Sequence, residues 1–149
     1  MALGEICNRT VVVVTRGTRL DEAARLMREH HVGSLVVVDE TAIGRRPVGI
    51  ITDRDIVIEV AAMGVPLATV TAEEAMAPDL MTGLVTDPVW DTVARMREKG
   101  VRRLPVVDRD GVLQGILTVD DLLELLTEHF DGLVRTIIQE QTKEARSRR

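Results

Sequence analysis

Tyrosine is absent from this chain, and Trp90 and Phe130 are its only aromatic side chains. A single-stranded nucleic-acid or RNA site built on stacking platforms has almost nothing to build on. An excess of basic residues is lacking too. The formal charge is −5, the wrong sign for a general nucleic-acid surface. The tail Lys143-Glu144-Ala145-Arg146-Ser147-Arg148-Arg149 is locally basic and reads as a solvated end; removing its net +3 from −5 leaves −8 for the body. Cys7 is the single cysteine, so no intrachain disulfide forms, as suits a reducing compartment. No apolar run approaches the ~18 residues of a spanning helix. The opening Met1-Ala2-Leu3-Gly4-Glu5 shows neither the basic nor the apolar part of a secretory signal. The expectation is a cytoplasmic protein with no membrane partner.

Catalytic inventory is equally thin. Ser34 and Ser147 are the only serines, and Ser147 lies in the tail. His30 and His31 are adjacent, so on a helix they point about 100° apart and make a poor metal pair. His129 is remote from both, and no glycine loop of the phosphate-binding or dinucleotide type is present. These absences point away from an enzyme and from a metal site.

What the chain does have is repetition. Gly49-Ile50-Ile51-Thr52-Asp53-Arg54-Asp55 returns as Gly115-Ile116-Leu117-Thr118-Val119-Asp120-Asp121. Upstream, Met27-Arg28-Glu29 returns as Met96-Arg97-Glu98, and Val37-Val38-Asp39 as Val106-Val107-Asp108. The offset is 69 residues up to Asp39 and 66 at the Gly-Ile motif, so the first copy carries three extra residues between them. A repeat of this length sets the unit of folding. Each half is near the size at which a domain is marginal alone, so the two should share one body.

Each copy reads as strand, helix, strand, strand, helix. In the first, strands are expected over residues 11–14, 35–38 and 48–51, with a loop at Gly44-Arg45-Arg46. Leu20, Ala23, Ala24 and Met27 carry the first helix, with Asp21 and Glu22 in its opening turn. Ile56, Val57, Val60 and Ala61 carry the second, which ends near Gly64 and Pro66. In the second copy the strands fall at residues 81–85, 104–107 and 112–117. Its first helix carries Val89, Val93 and Met96, and its second starts near Val119. The boundaries read as repeat 1 over residues 6–63, a linker over 64–74, repeat 2 over 75–130, and a helical extension with a basic tail over 131–149. Within the linker, Thr71-Ala72-Glu73-Glu74 has the pattern of a capping box. In the last helix, Leu123, Leu126, Phe130, Leu133 and Ile137 alternate spacings of three and four, a stripe suited to a partner helix. Asp131-Gly132 falls within it, so one helix and two shorter ones both fit.

The Gly-Ile-x-Thr-x-x-Asp segments stand where a strand turns into a helix. The threonine reaches the helix start and the aspartate sits one turn on, on the same side. A hydroxyl, exposed backbone N–H groups and the positive end of a helix dipole suit a phosphate. A carboxylate beside them accepts hydrogen bonds from ribose hydroxyls. The same spacing is also that of a capping box, which needs no ligand. Two equivalent copies using the same residue types favour a nucleotide.

These residues resemble a pair of CBS domains (the cystathionine-β-synthase-type repeat), together a Bateman module. His31-Val32-Gly33-Ser34-Leu35-Val36-Val37-Val38-Asp39 and Gly100-Val101-Arg102-Arg103-Leu104-Pro105-Val106-Val107-Asp108 are similar to the second strand of that family, and the Gly-Ile-x-Thr-x-x-Asp segments to its nucleotide signature. The resemblance runs from Ile6 to about Leu126. It implies an α/β protein of the α+β type, with two pseudo-symmetric βαββα repeats packed as one module. It also implies a stand-alone regulatory sensor of AMP, ADP or ATP in clefts between the repeats.

One cleft would use Thr118 and Asp121 for phosphate and ribose, Val12, Val32, Gly33 and Ile116 around the base, and Arg103 on the phosphates. The mirror cleft would use Thr52, Asp55 and Ile50 with Met81, Val101 and Arg102. The two should be unequal, because Arg102 and Arg103 stand where the first copy has Gly33 and Ser34. No cofactor is required beyond the regulatory nucleotide, and the expected partners are a second copy in a homodimer and an effector protein. Two alternatives remain: a structural dimerisation module without ligand, and a sensor of S-adenosylmethionine or coenzyme A.

Overall fold

The structure is a computed structural model that describes residues 1–148. The chain divides into two units, Met1–Leu117 and a second that begins at Thr118. The first unit opens with a four-residue helix, α1 (Leu3–Ile6). The sheet of repeat 1 follows, with β1 (Val13–Thr15), α2 (Leu20–His30), β2 (Ser34–Thr41) and β3 (Gly44–Thr52). β1 runs parallel to β2, which pairs antiparallel with β3. A helical stretch then starts as α3 (Asp53–Asp55), widens into a π turn (Ile56–Val60) and tightens into a 3-10 turn (Ala61–Met63).

Repeat 2 reproduces this order with α4 (Ala72–Ala75), β4 (Gly83–Leu84), α5 (Val89–Lys99), β5 (Arg103–Val107) and β6 (Leu113–Thr118), its sheet ordered β4-β5-β6. Half of the capping box expected at Thr71 forms: its hydroxyl accepts the Glu74 N–H, while the Glu74 carboxylate takes the same hydroxyl rather than the Thr71 N–H. The mixed α/β architecture expected from the sequence is present.

The apolar runs form the strands because both faces of each central strand are covered. Leu35, Val36, Val37 and Val38 of β2 are at most 1% exposed. Successive side chains on a strand point to opposite faces. Leu35 and Val37 accordingly join Ile51 in a cluster with Leu20, Ala23 and Met27 of α2. Each such side chain contributes about 1.5–3 kcal/mol on burial.

Two local expectations are corrected. The residues Gly44-Arg45-Arg46 are not a loop: β2 continues past Asp39-Glu40, and β3 begins at Gly44. The three extra residues lengthen a hairpin, which closes around Ala42-Ile43 with Thr41 opposite Gly44. Arg45 pairs across it with Glu40 at 2.9 Å, and the Thr41 hydroxyl donates to the Gly44 carbonyl at 2.6 Å. Cross-strand pairing outweighs the low strand preference of these charged residues.

The second correction concerns helix geometry. The segment after Asp55 takes the wider π turn where a regular amphipathic helix was expected. Ile56 and Val60 both remain buried there.

The two repeats exchange their leading helices. α1 precedes repeat 1 in the chain but docks on repeat 2, where the Leu3 N–H donates to the Asp87 carbonyl at 3.0 Å and the Gly4 N–H to Val85 at 2.9 Å. Asn8 trades both backbone hydrogen bonds with Ile116 at 2.9 Å. α4, equivalent to α1 at the offset of 69, docks on repeat 1 through Ala72 N–H to the Thr18 carbonyl at 2.8 Å and Glu73 N–H to Arg16 at 3.0 Å. The glycine of each Gly-Ile motif is where the exchanged segment lands. A Cβ on Gly115 would sit 2.7 Å from both the Asn8 carbonyl oxygen and Cys7 Sγ, and one on Gly49 would strike the Met76 side chain.

Equivalent positions diverge elsewhere. Asp108 of repeat 2 caps its own turn, accepting the Asp110 and Val112 N–H groups. Asp39 instead takes the Arg16 guanidinium in a two-pronged pair at 2.8 and 3.0 Å. That hydrogen bond outweighs desolvation and holds the Asp39 carboxyl below its ordinary range. The helix before each central strand ends on a left-handed residue, Gly100 in one repeat and His31 (φ 54°) in the other.

The second unit is one helix, α6 (Val119–Ser147), which runs through Asp131-Gly132 without a break. Asp131 pairs with Arg135 one turn on at 2.8 Å, and the Thr136 hydroxyl donates to the Gly132 carbonyl. No helix among the described residues is long and apolar enough to cross a membrane.

Three outcomes test this packing. Gly115→Ala should cost about 1–3 kcal/mol of overpacking in urea unfolding and Gly49→Ala less, since Asn8 offers rigid backbone and Met76 a flexible side chain. His31→Gly should leave stability unchanged or raise it by up to about 1 kcal/mol, because glycine adopts positive φ without a steric penalty. Asp39→Asn should lower the urea midpoint at neutral pH. A depressed folded pKa contributes stability above the unfolded value of about 4 and loses it as pH falls through the folded value. The gap between variant and native chain should therefore close in acid.

Candidate functional site

The exchange of leading helices sets the strand-to-helix corner of repeat 1 against the chain leading into the sheet of repeat 2. A cavity of about 500 Å³ opens between them. Ile50, Thr52 and Asp55 line it from repeat 1, and Met81, Val101 and Arg102 from repeat 2. All six residues expected from the sequence in the mirror cleft therefore border one space. Ile50 reaches it because its side chain leaves β3 on the face opposite Ile51, which is buried in the core.

The corner is built by a full capping box. The Asp55 N–H donates to Thr52 Oγ1 at 3.1 Å, and the Thr52 N–H donates to Asp55 Oδ2 at 3.0 Å. The ligand-free reading of this motif is thus realised in its geometry. It engages one carboxylate oxygen only, and both residues are half-buried at the cavity edge. Asp55 immediately precedes the π turn, an irregularity frequent at functional sites.

Three arginines and three aspartates line the same cavity. Arg54, Arg102 and Arg103 line it together with Asp53, Asp55 and Asp79. Asp79 is paired with Lys99 at 3.3 Å, while Asp53 accepts the Arg54 N–H at 2.8 Å. A neighbouring cavity of about 510 Å³ shares Asp55 but adds Glu59 and Glu74 and contains no cation. Of the two, the first has the composition that admits an anion. Its apolar part, Ile50, Leu80, Met81 and Val101, offers aliphatic walls for a flat base.

Arg103, matched from the sequence to the Thr118 cleft, borders the Thr52 cavity. It begins β5, half-buried, directly after Arg102. Of the other residues matched to that second cleft, Val12 precedes β1, Val32 and Gly33 precede β2, and Ile116 is paired with Asn8. The Gly33 carbonyl accepts the Asp53 N–H at 2.9 Å, which ties it to the corner of its own repeat. Thr118 caps α6, its hydroxyl accepting the Asp121 N–H at 3.0 Å. The reciprocal bond from an aspartate back to the cap forms only at Asp55 among the described residues.

Sequence reasoning passed over Asp53, Ala77, Asp79, Leu80 and Gly100, all of which line the cavity. A signal existed for three of them. Asp79 and Leu80 lead directly into Met81, and Gly100 directly precedes Val101. No group of histidine, cysteine, aspartate or glutamate side chains suited to a metal ion occurs among the described residues.

A tandem pair of strand-helix repeats with a ligand-sized cleft between them defines the class. The CBS domain family model matches residues 3–62 and again 72–128. The chain belongs to the CBS-domain family as a tandem pair. It is 38% identical over 143 residues to the uncharacterized protein MK0525 of Methanopyrus kandleri, covering 96% of this chain and 69% of that one. It is 34% identical to hypoxic response protein 1 of Mycobacterium tuberculosis, over 84% of this chain and 85% of that one. The CBS domain pair of protein MJ0100, solved in complex with 5′-methylthioadenosine and S-adenosyl-L-methionine, superimposes with a TM-score of 0.75 at 26% identity, covering 87% and 98% of the two chains.

Proposed function

We propose that this chain is a regulatory sensor whose cavity takes an adenine nucleotide. The observation that carries the reading is that six residues of two different repeats, selected by their place in a duplicated motif, line one cavity. Its volume of about 500 Å³ lies within the usual range for small-molecule sites. In this reading the uncommitted oxygen of Asp55 accepts from the ribose, and the Thr52 hydroxyl and the arginines take the phosphates. Ile50, Met81 and Val101 hold the base.

Binding would signal by population shift. The cavity joins repeat 1 to repeat 2, so a ligand that contacts both favours the arrangement in which they are closed on it. Coupling of about 1–3 kcal/mol is the usual scale for such a device. Its output would pass to an effector protein in the cytoplasm, from a homodimer of the module.

A second reading has its own support. The MJ0100 pair binds adenosyl compounds without a polyphosphate, and three carboxylates line the cavity here. A cationic sulfonium would be better matched to those than to a site made of arginine alone.

Isothermal titration against ATP, AMP, S-adenosylmethionine and methylthioadenosine separates the readings. Asp55→Ala should weaken every adenosyl ligand by roughly 10- to 100-fold, the equivalent of losing charge-assisted hydrogen bonds worth about 1.5–3 kcal/mol. Arg103→Ala should weaken ATP while sparing S-adenosylmethionine if phosphate is the recognised group. Absence of heat from all four ligands with the native chain would leave the structural dimerisation module as the better account.

A further inference from the structure

The two repeats fill one position differently. Directly after β1, the Arg16 guanidinium sits on Asp39, with Nε on Oδ1 at 2.8 Å and Nη2 on Oδ2 at 3.0 Å. Its Nη1 donates to Glu73 of α4 at 3.1 Å. At the offset of 69, Val85 stands for Arg16, Asp108 for Asp39 and Gly4 for Glu73. The backbone bears out the match. Thr15 pairs with Val38 as Leu84 pairs with Val107. The Glu73 N–H donates to the Arg16 carbonyl as the Gly4 N–H donates to that of Val85. Both repeats therefore place a carboxylate here, and one of them sets a guanidinium on it.

Repeat 2 has at the equivalent place a cavity of about 290 Å³, lined by Leu84, Val85, Thr86, Asp108, Arg109 and Asp110. It lies at the floor of the roughly 300–1,000 Å³ that ligand sites span, so it suits one small group. Asp108 has acceptor capacity to spare. Its Oδ1 takes the Asp110 and Val112 N–H groups at 2.9 and 3.0 Å, and its Oδ2 takes the Gln114 amide at 3.3 Å. A carboxylate has about four acceptor sites, which leaves one on Oδ2. Asp110 adds a second carboxylate, and with Arg109 as the one cation the lining is net negative. Leu84 and Val85 offer an apolar wall for an alkyl stem. The chain supplies no counterpart of Glu73, since a Cβ on Gly4 would meet Val85 Cβ at 3.1 Å. Arg9 is engaged elsewhere, donating to the Gly4 carbonyl at 2.7 Å.

We infer that this cavity binds a guanidinium group from outside the chain, set on Asp108 as Arg16 is set on Asp39. Asp110 takes over the part that Glu73 plays in repeat 1. Guanidinium is preferred to ammonium because its planar fork presents separate N–H groups to two carboxylates. The group comes from a small free guanidine or from an arginine side chain of a partner protein. No lining residue is shared with the nucleotide cavity, so the site stands apart from that reading.

Amide NMR titration of the full chain tests this, with n-butylguanidinium, n-butylamine and a blocked glycine-arginine-glycine peptide as probes. Butylguanidinium should shift the Asp110 and Val112 amides saturably at millimolar concentration. Butylamine, of equal charge, should bind at least about 10-fold more weakly. Peptide binding as tight as that of butylguanidinium assigns the site to a partner's arginine; exclusion of the peptide assigns it to a free guanidine. Asp110 joins the turn through its backbone N–H, so Asp110→Asn should leave the fold intact and weaken butylguanidinium about 10-fold. Val85→Arg rebuilds the arrangement of repeat 1. It should abolish binding and raise the melting temperature, with amide shifts remote from the site unchanged. No saturable shift, equal shifts from the guanidinium and the amine, or binding undiminished in both variants would overturn the proposal.

Discussion

The fold depends on a reciprocal exchange in which each repeat's sheet is closed by the helix that leads into the other. A short helix of four residues has little stability of its own. α1 and α4 persist because their backbone N–H groups are spent on the opposite repeat, at Asp87 and Val85 for one and at Thr18 and Arg16 for the other. The approach is close enough that a side chain on the strand beneath would crowd it, at Gly49 under Met76 and Gly115 under Cys7 and Asn8. The glycine of the Gly-Ile motif is thus a packing requirement between repeats, whatever the residues after it do with a ligand.

Everything placed at the cavity follows from that constraint. With α4 held on repeat 1, the chain from Ala77 to Met81 must pass the Thr52-Asp55 corner on its way into β4. The exchange therefore brings the carboxylate of one repeat and the arginines of the other to a single rim. Burial of Ile51 on one face of β3 fixes Ile50 on the other, facing the cleft. The capping box that starts α3 gives Asp55 its orientation while leaving one oxygen uncommitted. The capping role leaves acceptor capacity for a ligand, because a carboxylate has more acceptor sites than a cap uses.

Pseudo-symmetry stops at the level of side chains. Asp39 and Asp108 are equivalent in sequence, yet one anchors Arg16 across the sheet and the other closes its own turn. Arg102 and Arg103 have small, uncharged counterparts in Gly33 and Ser34. The difference lies in the neighbours. Repeat 1 has a longer hairpin, which carries Asp39 away from any turn it could cap, so the carboxylate needs another partner. A duplicated backbone does not imply duplicated chemistry.

The repeat, its order of elements and the Thr-Asp corner were legible in the amino-acid sequence because each is a local property. Apolar periodicity, turn residues and caps act within a few positions of one another, and a fixed offset exposes them twice. The hairpin at Gly44-Arg45-Arg46 was not legible, since its charged residues are held in strand by partners across the sheet. The π turn after Asp55 was equally hidden, set by which side chains must be buried together. The continuity of α6 through Asp131-Gly132 turned on hydrogen bonds one turn apart that outweigh a single glycine. Only tertiary structure decided that Arg103 borders the Thr52 cavity, that Asp53 and Asp79 join it, and that each leading helix belongs to the other repeat. Those are contacts between residues far apart in the chain, and no local pattern records which distant surface a segment will meet.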